Sequence, residues 1–172
     1  MEQQSFWKFI LEKLNQSNLV ILMCVVESKG SSPGRHGFKM AVARDGMVGS
    51  IGGGIMEHKF VELAKERLGA LYVEPLIRKQ VHNKSARVDQ SGMICSGDQT
   101  ILMYSLNYSH LNLIKKIIFT LGENLVGRLK ISNKEFSFTE DGSGDNYFFK
   151  MQQTGEWEYL ESASEQWPPP II

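Results

Sequence analysis

A chain of 172 residues, 42% of them hydrophobic, can bury one sizeable core but is too short for two generous domains. Its 19 Lys and Arg balance 19 Asp and Glu, so no overall field draws it to nucleic acid or to an acidic membrane, and any polyanion contact must be local. The longest apolar run, residues 19–26, cannot span a bilayer, the N-terminus lacks the basic start and apolar stretch of a signal peptide, and two cysteines make no disulfide framework, which together predict a cytoplasmic protein with reduced thiols.

Phe6, Trp7, Ile10, Leu11 and Leu14 recur at helical spacing and predict an amphipathic first helix ending near Asn15. Residues 19–26 then read as a central strand buried on both faces, with Cys24 as core packing. A second strand is expected over 38–43, and Asp45-Gly46 signals a hairpin. Met56, Phe60, Leu63, Ala64 and Leu68 mark one face of a second helix that stops at Gly69. Strands are expected over 76–82 and 99–106, and Leu111, Ile114, Ile117, Ile118 and Leu121 give a third helix. Residues 125–131, 136–139, 147–151 and 157–160 read as a β-meander whose loosest turn is 141–146, and the tail 167–172, with three prolines, is linker-like. The fold class expected is α/β or α+β: a single domain over 1–166 with a mixed β-sheet, flanking helices and the C-terminal β-meander.

Chemistry concentrates in glycine-rich segments. Three glycines, Gly52, Gly53 and Gly54, precede a helix start, where backbone N–H groups approach a ligand without Cβ interference and the helix adds its positive end. Such a segment has two readings, an anion cradle or a tight strand-to-helix turn, and Glu57 in the first helical turn is either functional or simply a favourable charge near the helix dipole. Upstream, Arg35 and Lys39 sit beside Gly34 and Gly37, as a solvated loop or as a phosphate clamp with Arg supplying bidentate donors. Arg78, Lys79, His82, Lys84 and Arg87 form a second basic stretch of the kind that is usually a solvated face. Cys95 lies between Gly92 and Gly97, with a thiol that is either ligand-accessible or small packing under a turn. Neither nucleotide fingerprint is present: Asp98 and Gln99 stand where a P-loop needs Lys and Ser or Thr, and residues 49–54 fail the GxGxxG pattern. The sequence also lacks a Ser-His-Asp triad signature, an HExxH site and a paired histidine ligand set, which argues against hydrolase and zinc readings.

In this order the segments Gly30-Ser31-Ser32-Pro33-Gly34-Arg35-His36-Gly37-Phe38-Lys39-Met40, Gly49-Ser50-Ile51-Gly52-Gly53-Gly54-Ile55-Met56-Glu57 and Cys95-Ser96-Gly97 resemble the XdhC/CoxI family of xanthine dehydrogenase accessory factors. The resemblance covers roughly the first two-thirds of the chain. It implies a cytoplasmic, dimeric chaperone that binds the molybdenum cofactor (molybdopterin), protects it during sulfuration and assists its insertion into a molybdenum hydroxylase apo-enzyme. The implied cofactor-binding residues are Ser31, Ser32, Arg35, Lys39, Ser50, Gly52, Gly53, Gly54, Glu57, Cys95 and Gly97, with Cys95 also the contact to molybdenum and the one candidate catalytic thiol. A cysteine desulfurase is a further implied partner. Typical relatives continue past a proline-rich junction into a Rossmann-like domain, and this sequence stops at that junction, either as a stand-alone first domain with a separate Rossmann-domain protein as partner or as a truncated form. Ile55 stands where many relatives carry cysteine, which disfavours a two-thiol mechanism. The competing readings are a thiol-dependent sulfur-transfer or redox enzyme using Cys95, and a non-catalytic docking or dimerisation module.

Overall fold

An unbroken apolar run must be covered on both sides, and residues 20–26 are all buried in β1 (Val20–Gly30), the middle strand of a five-stranded sheet. The computed structural model describes residues 3–30, 34–70, 74–82, 97–140 and 147–164, with the side chains of Val81 and His82 excepted. The expected turn at 141–146 and the tail 167–172 lie outside the described residues. Contacts divide the chain into two compact units, Leu19–Leu106 and a second that joins residues 1–18 to 107–172.

In the Leu19–Leu106 unit, β1 pairs on one side with β2 (Lys39–Ala43), which forms a hairpin with β3 (Gly46–Gly49), and on the other with β5 (Gly97–Leu106), which pairs with β4 (Leu76–His82). The order is therefore β3-β2-β1-β5-β4. Every pairing is antiparallel, so the expected mixed sheet is corrected, and of the two fold classes expected the protein is α+β. The physical reason lies in the connections. Parallel neighbours need a crossover of a dozen or more residues returning to the same end of the sheet, and here β2 and β3 join through a two-residue hairpin turn instead. Helix α1 (Gln3–Asn15) precedes the sheet, and α2 (Gly54–Leu68) buries Met56, Phe60 and Ala64 in one cluster with Ile21, Met23 and Val25 of β1 and Met40 and Val42 of β2. It ends where a C-terminal glycine was expected, with Gly69 N–H donating to the Glu66 carbonyl.

The antiparallel order has a positional consequence. β1 ends at Gly30, β2 begins at Lys39, β3 ends at Gly49, β4 ends at His82 and β5 begins at Gly97, and the register places Gly30 opposite Gly97, Gly97 opposite His82 and Met40 opposite Gly49. The connections 31–38, 50–53 and 83–96 therefore all leave from one end of one sheet.

In the other unit, α1 packs on α3 (Leu111–Gly122) and buries Phe6, Trp7, Ile10 and Leu14, and Trp7 meets Phe136 ring to ring at 6.4 Å. The strands β6 (Gly127–Ser132), β7 (Phe136–Thr139), β8 (Tyr147–Met151) and β9 (Trp157–Ala163) form the expected C-terminal sheet, but in the order β7-β6-β9-β8. A sequential meander is thereby corrected to two hairpins joined through β6 and β9. Burial explains the choice: β6 and β9 carry the buried Leu129, Ile131, Trp157 and Tyr159, whereas β8 is exposed along most of its length and serves as an edge.

His110, just before α3, accepts a hydrogen bond from the Asn107 amide on Nδ1 at 3.0 Å, and burial pushes its imidazole below the ordinary value of 6.5. Protonation would also abolish that bond, since both ring nitrogens of imidazolium are donors. The unfolded chain then takes up its proton first, so the contribution is present above 6.5 and lost as pH falls from there toward the folded value. Denaturant titrations above and below 6.5 should show the wild type losing more stability on acidification than His110→Gln. Parallel losses in the two proteins would contradict this role.

Candidate functional site

Two of the connections that leave this sheet end are described, the first from Gly34 onward, and each is held by its own hydrogen bonds. In the first, Gly37 N–H donates to the Val25 carbonyl at 2.8 Å, Val25 N–H to Phe38 O at 2.9 Å and Phe38 N–H to Arg35 O at 3.0 Å, so the turn folds back onto β1. Arg35 is left exposed on that turn. Lys39 is not: its side chain is buried, and Nζ donates to Gly37 O at 3.0 Å. The lysine therefore braces the first loop.

In the second connection Gly52, Gly53 and Gly54 all have positive φ, at 128°, 77° and 73°, which L side chains rarely adopt. The amides this conformation presents are directed at a carboxylate already in the chain. Glu57 Oε1 accepts Ile51 N–H at 2.9 Å, Gly53 N–H at 3.1 Å and the Ser50 hydroxyl at 2.6 Å, while Ser50 Oγ accepts Gly52 N–H at 3.1 Å. Glu57 thus folds the loop that precedes its own helix, four residues on from the N-cap Gly53, in the manner of a capping box extended by one position.

The two connections are tied to each other by a residue that carries no mark of function in the sequence. Gln99, on β5 and fully buried, accepts Gly34 N–H on Oε1 at 3.2 Å and donates from Nε2 to Ile51 O at 2.7 Å. Both partners are backbone groups, so the amide orientation is fixed: turned over, its NH2 would face an N–H and its oxygen a carbonyl. A Cβ at Gly34 would overlap the Ile51 carbonyl oxygen and Gln99 Nε2, so glycine is required there by close approach. The signal for Gln99 in the sequence is faint, one of three consecutive polar residues, Asp98, Gln99 and Thr100, ahead of the apolar part of the strand.

Among the residues singled out from the sequence, Arg35, Lys39, Ser50, Gly52, Gly53, Gly54, Glu57 and Gly97 thus fall at this end of the sheet. Gly97 opens β5 with φ 144°. Ser31, Ser32 and Cys95 lie outside the described residues. Ile55 is exposed in the first turn of α2, and Cys24 is buried in the core as expected. Among the described residues no cluster of His, Cys, Asp and Glu could hold a metal ion, and no helix is long and apolar enough to cross a membrane.

Fold and site together define an antiparallel α+β module that presents two interlocked glycine loops at one sheet end. Residues 14–71, which carry both loops, match the model of the XdhC and CoxI family. The chain is 37% identical over 95 residues to the uncharacterized protein YqeB of Escherichia coli (strain K12), covering 53% of this chain and 16% of YqeB. It also resembles the solved structure of a xanthine dehydrogenase from Bacillus halodurans, with a TM-score of 0.68 and 17% identity over 95% of this chain and 53% of that one. At that identity the likeness is one of fold.

The Gln99 bridge predicts a specific cost. Gln99→Leu keeps the volume and leaves Gly34 N–H and Ile51 O buried without partners, at roughly 1–3 kcal/mol for each orphaned group, measurable by urea denaturation. Glycine replacements should separate in the same assay. Gly34→Ala forces the loops apart, whereas a Cβ at Gly53 meets nothing within 4 Å and incurs only the strain of a backbone at φ 77° and ψ −175°, a region essentially kept for glycine, about 1–3 kcal/mol. Equal losses at the two glycines would contradict the close approach.

Proposed function

We propose that the chain is a xanthine dehydrogenase-associated accessory module that holds the molybdenum cofactor as cargo at the loop end of its five-stranded sheet. The observation that carries this reading is the Gln99 bridge, because it makes one surface of the two loops that lie in the family segment. The fold likeness to a chain described as a xanthine dehydrogenase supports the same association.

The donor set suits the phosphate of such a cargo in a particular way. Glu57 already takes the Ile51 and Gly53 amides, so it maintains the loop, and Lys39 maintains the turn before it. An incoming phosphate is met instead by the exposed Arg35 guanidinium, a bidentate donor, and by the first N–H groups of α2, which have no acceptor within the helix. Cys95 belongs to the connection 83–96, whose flanking strand ends, His82 and Gly97, sit at the same sheet end, and its soft thiolate would take the metal–dithiolene side of the cargo. Ser31 and Ser32 belong to the connection that carries Arg35. The partner is then a molybdenum hydroxylase apo-enzyme, with a cysteine desulfurase as sulfur source and a second copy of the chain completing the assembly.

Anaerobic titration with molybdenum cofactor tests the reading. The wild type should bind saturably, and Arg35→Ala should weaken binding by about ten- to a hundredfold, the loss of one charge-assisted hydrogen bond. Cys95→Ser should retain that affinity while the bound metal centre loses protection. Equal affinity in the wild type and Arg35→Ala would contradict the phosphate assignment.

A further inference from the structure

Alternation along β4 sorts its residues onto two faces. Leu76 packs against the core cluster of α2, and Arg78 and Gln80 line a groove of about 130 Å³ together with Lys59, Phe60 and Leu63 of that helix. Lys79 lies on the opposite face and pairs with Asp98 at 3.2 Å. Phe60 is buried and Leu63 half-buried, so the floor of the groove is apolar. Its volume is well below the roughly 300–1,000 Å³ of pockets that enclose whole drug-sized ligands, which leaves room for a side chain and not for an organic cofactor.

The groove runs beside a sheet edge. β4 ends the strand order, and among the described residues it has β5 on one side and no strand on the other, so its outward N–H and C=O groups are a template for one more strand. Residues opposite each other across a sheet share a face, so every second residue of an added strand would lie on the α2 side, over the groove. Charge selects what that strand carries. Arg78 is exposed and, among the described residues, makes no ion pair or hydrogen bond, and β4 itself holds no acidic residue. A carboxylate opposite Arg78 would therefore meet a cation that nothing yet neutralises. A second copy of β4 fits badly, because a two-fold axis at Arg78 or Lys79 sets like charges opposite each other. We infer that this edge docks an extended peptide segment of another protein as a further strand on β4, with an apolar side chain on Phe60 and Leu63 and a carboxylate on Arg78. Main-chain hydrogen bonds then supply affinity and the groove supplies selectivity. The inference does not depend on the loop end binding a cofactor.

The test is titration of the full chain with the heptapeptide acetyl-Thr-Val-Thr-Glu-Thr-Val-Thr-amide, which sets its Glu and both Val on one face of an extended strand, followed by calorimetry and by NMR-detected hydrogen exchange. Binding should be saturable, and the β4 amides that point away from β5 should gain protection. Arg78→Gln should weaken it about tenfold or more, the effect expected for one charge-assisted hydrogen bond. Replacing both Val of the peptide by Ser should also weaken it. Lys79→Gln, on the opposite face, should leave the affinity unchanged, and so should Arg35→Ala. No saturable binding, or binding that leaves the β4 amides unprotected, overturns the docking edge. Equal losses in Arg78→Gln and Lys79→Gln would mean charge attraction without strand addition and overturn it equally.

Discussion

The backbone of Ile51 is gripped from both sides, its N–H by the Glu57 carboxylate at 2.9 Å and its carbonyl by the Gln99 carboxamide at 2.7 Å. Each grip comes from a different element, Glu57 from the helix that follows the loop and Gln99 from the strand β5. Because Gln99 also accepts Gly34 N–H, the position of the second loop sets the position of the first. Everything at this end of the sheet follows from that chain of bonds. Gly34 must be glycine to let the Ile51 carbonyl in, and Arg35, its neighbour, is held on the exposed side of the turn.

This arrangement changes what a glycine-rich segment at a helix start means. Amides presented by left-handed glycines commonly await an external anion, and here two amides of the loop and a hydroxyl are satisfied by the chain's own carboxylate. An internal anion preorganises the loop without any ligand, which lowers the ordering cost of binding at its rim. Lys39 plays the corresponding part in the first loop, where its buried ammonium caps the Gly37 carbonyl. Residue types that suggest ligand contacts thus build the frame, and the exposed Arg35 and the α2 amides remain at its surface.

Much of the fold was legible because its signals are local. The unbroken apolar run gave β1, the period of Met56, Phe60 and Ala64 gave α2, and Gly69 gave its end. Strand order was not legible, since the sheet order β7-β6-β9-β8 depends on which strands can bury both neighbours, a property of the assembled unit and not of any one segment. At the site, glycines and charges were visible as residue types, but the pairing of Glu57 with a loop six residues upstream, and of Gln99 with groups 48 and 65 residues away, required the register of the sheet.

The central claim is that the two loops form one preassembled unit held through Ile51. Native-state hydrogen exchange on the ligand-free chain measures it most directly, because Gly34, Ile51 and Gly53 lie outside regular strands and helices and donate their N–H groups to Gln99 and Glu57. The account predicts slow exchange at all three amides, with Gly34 released by Gln99→Leu while Val25 in β1 stays protected. Exchange at Gly34, Ile51 and Gly53 at the rate of an unstructured peptide in the wild type would contradict it.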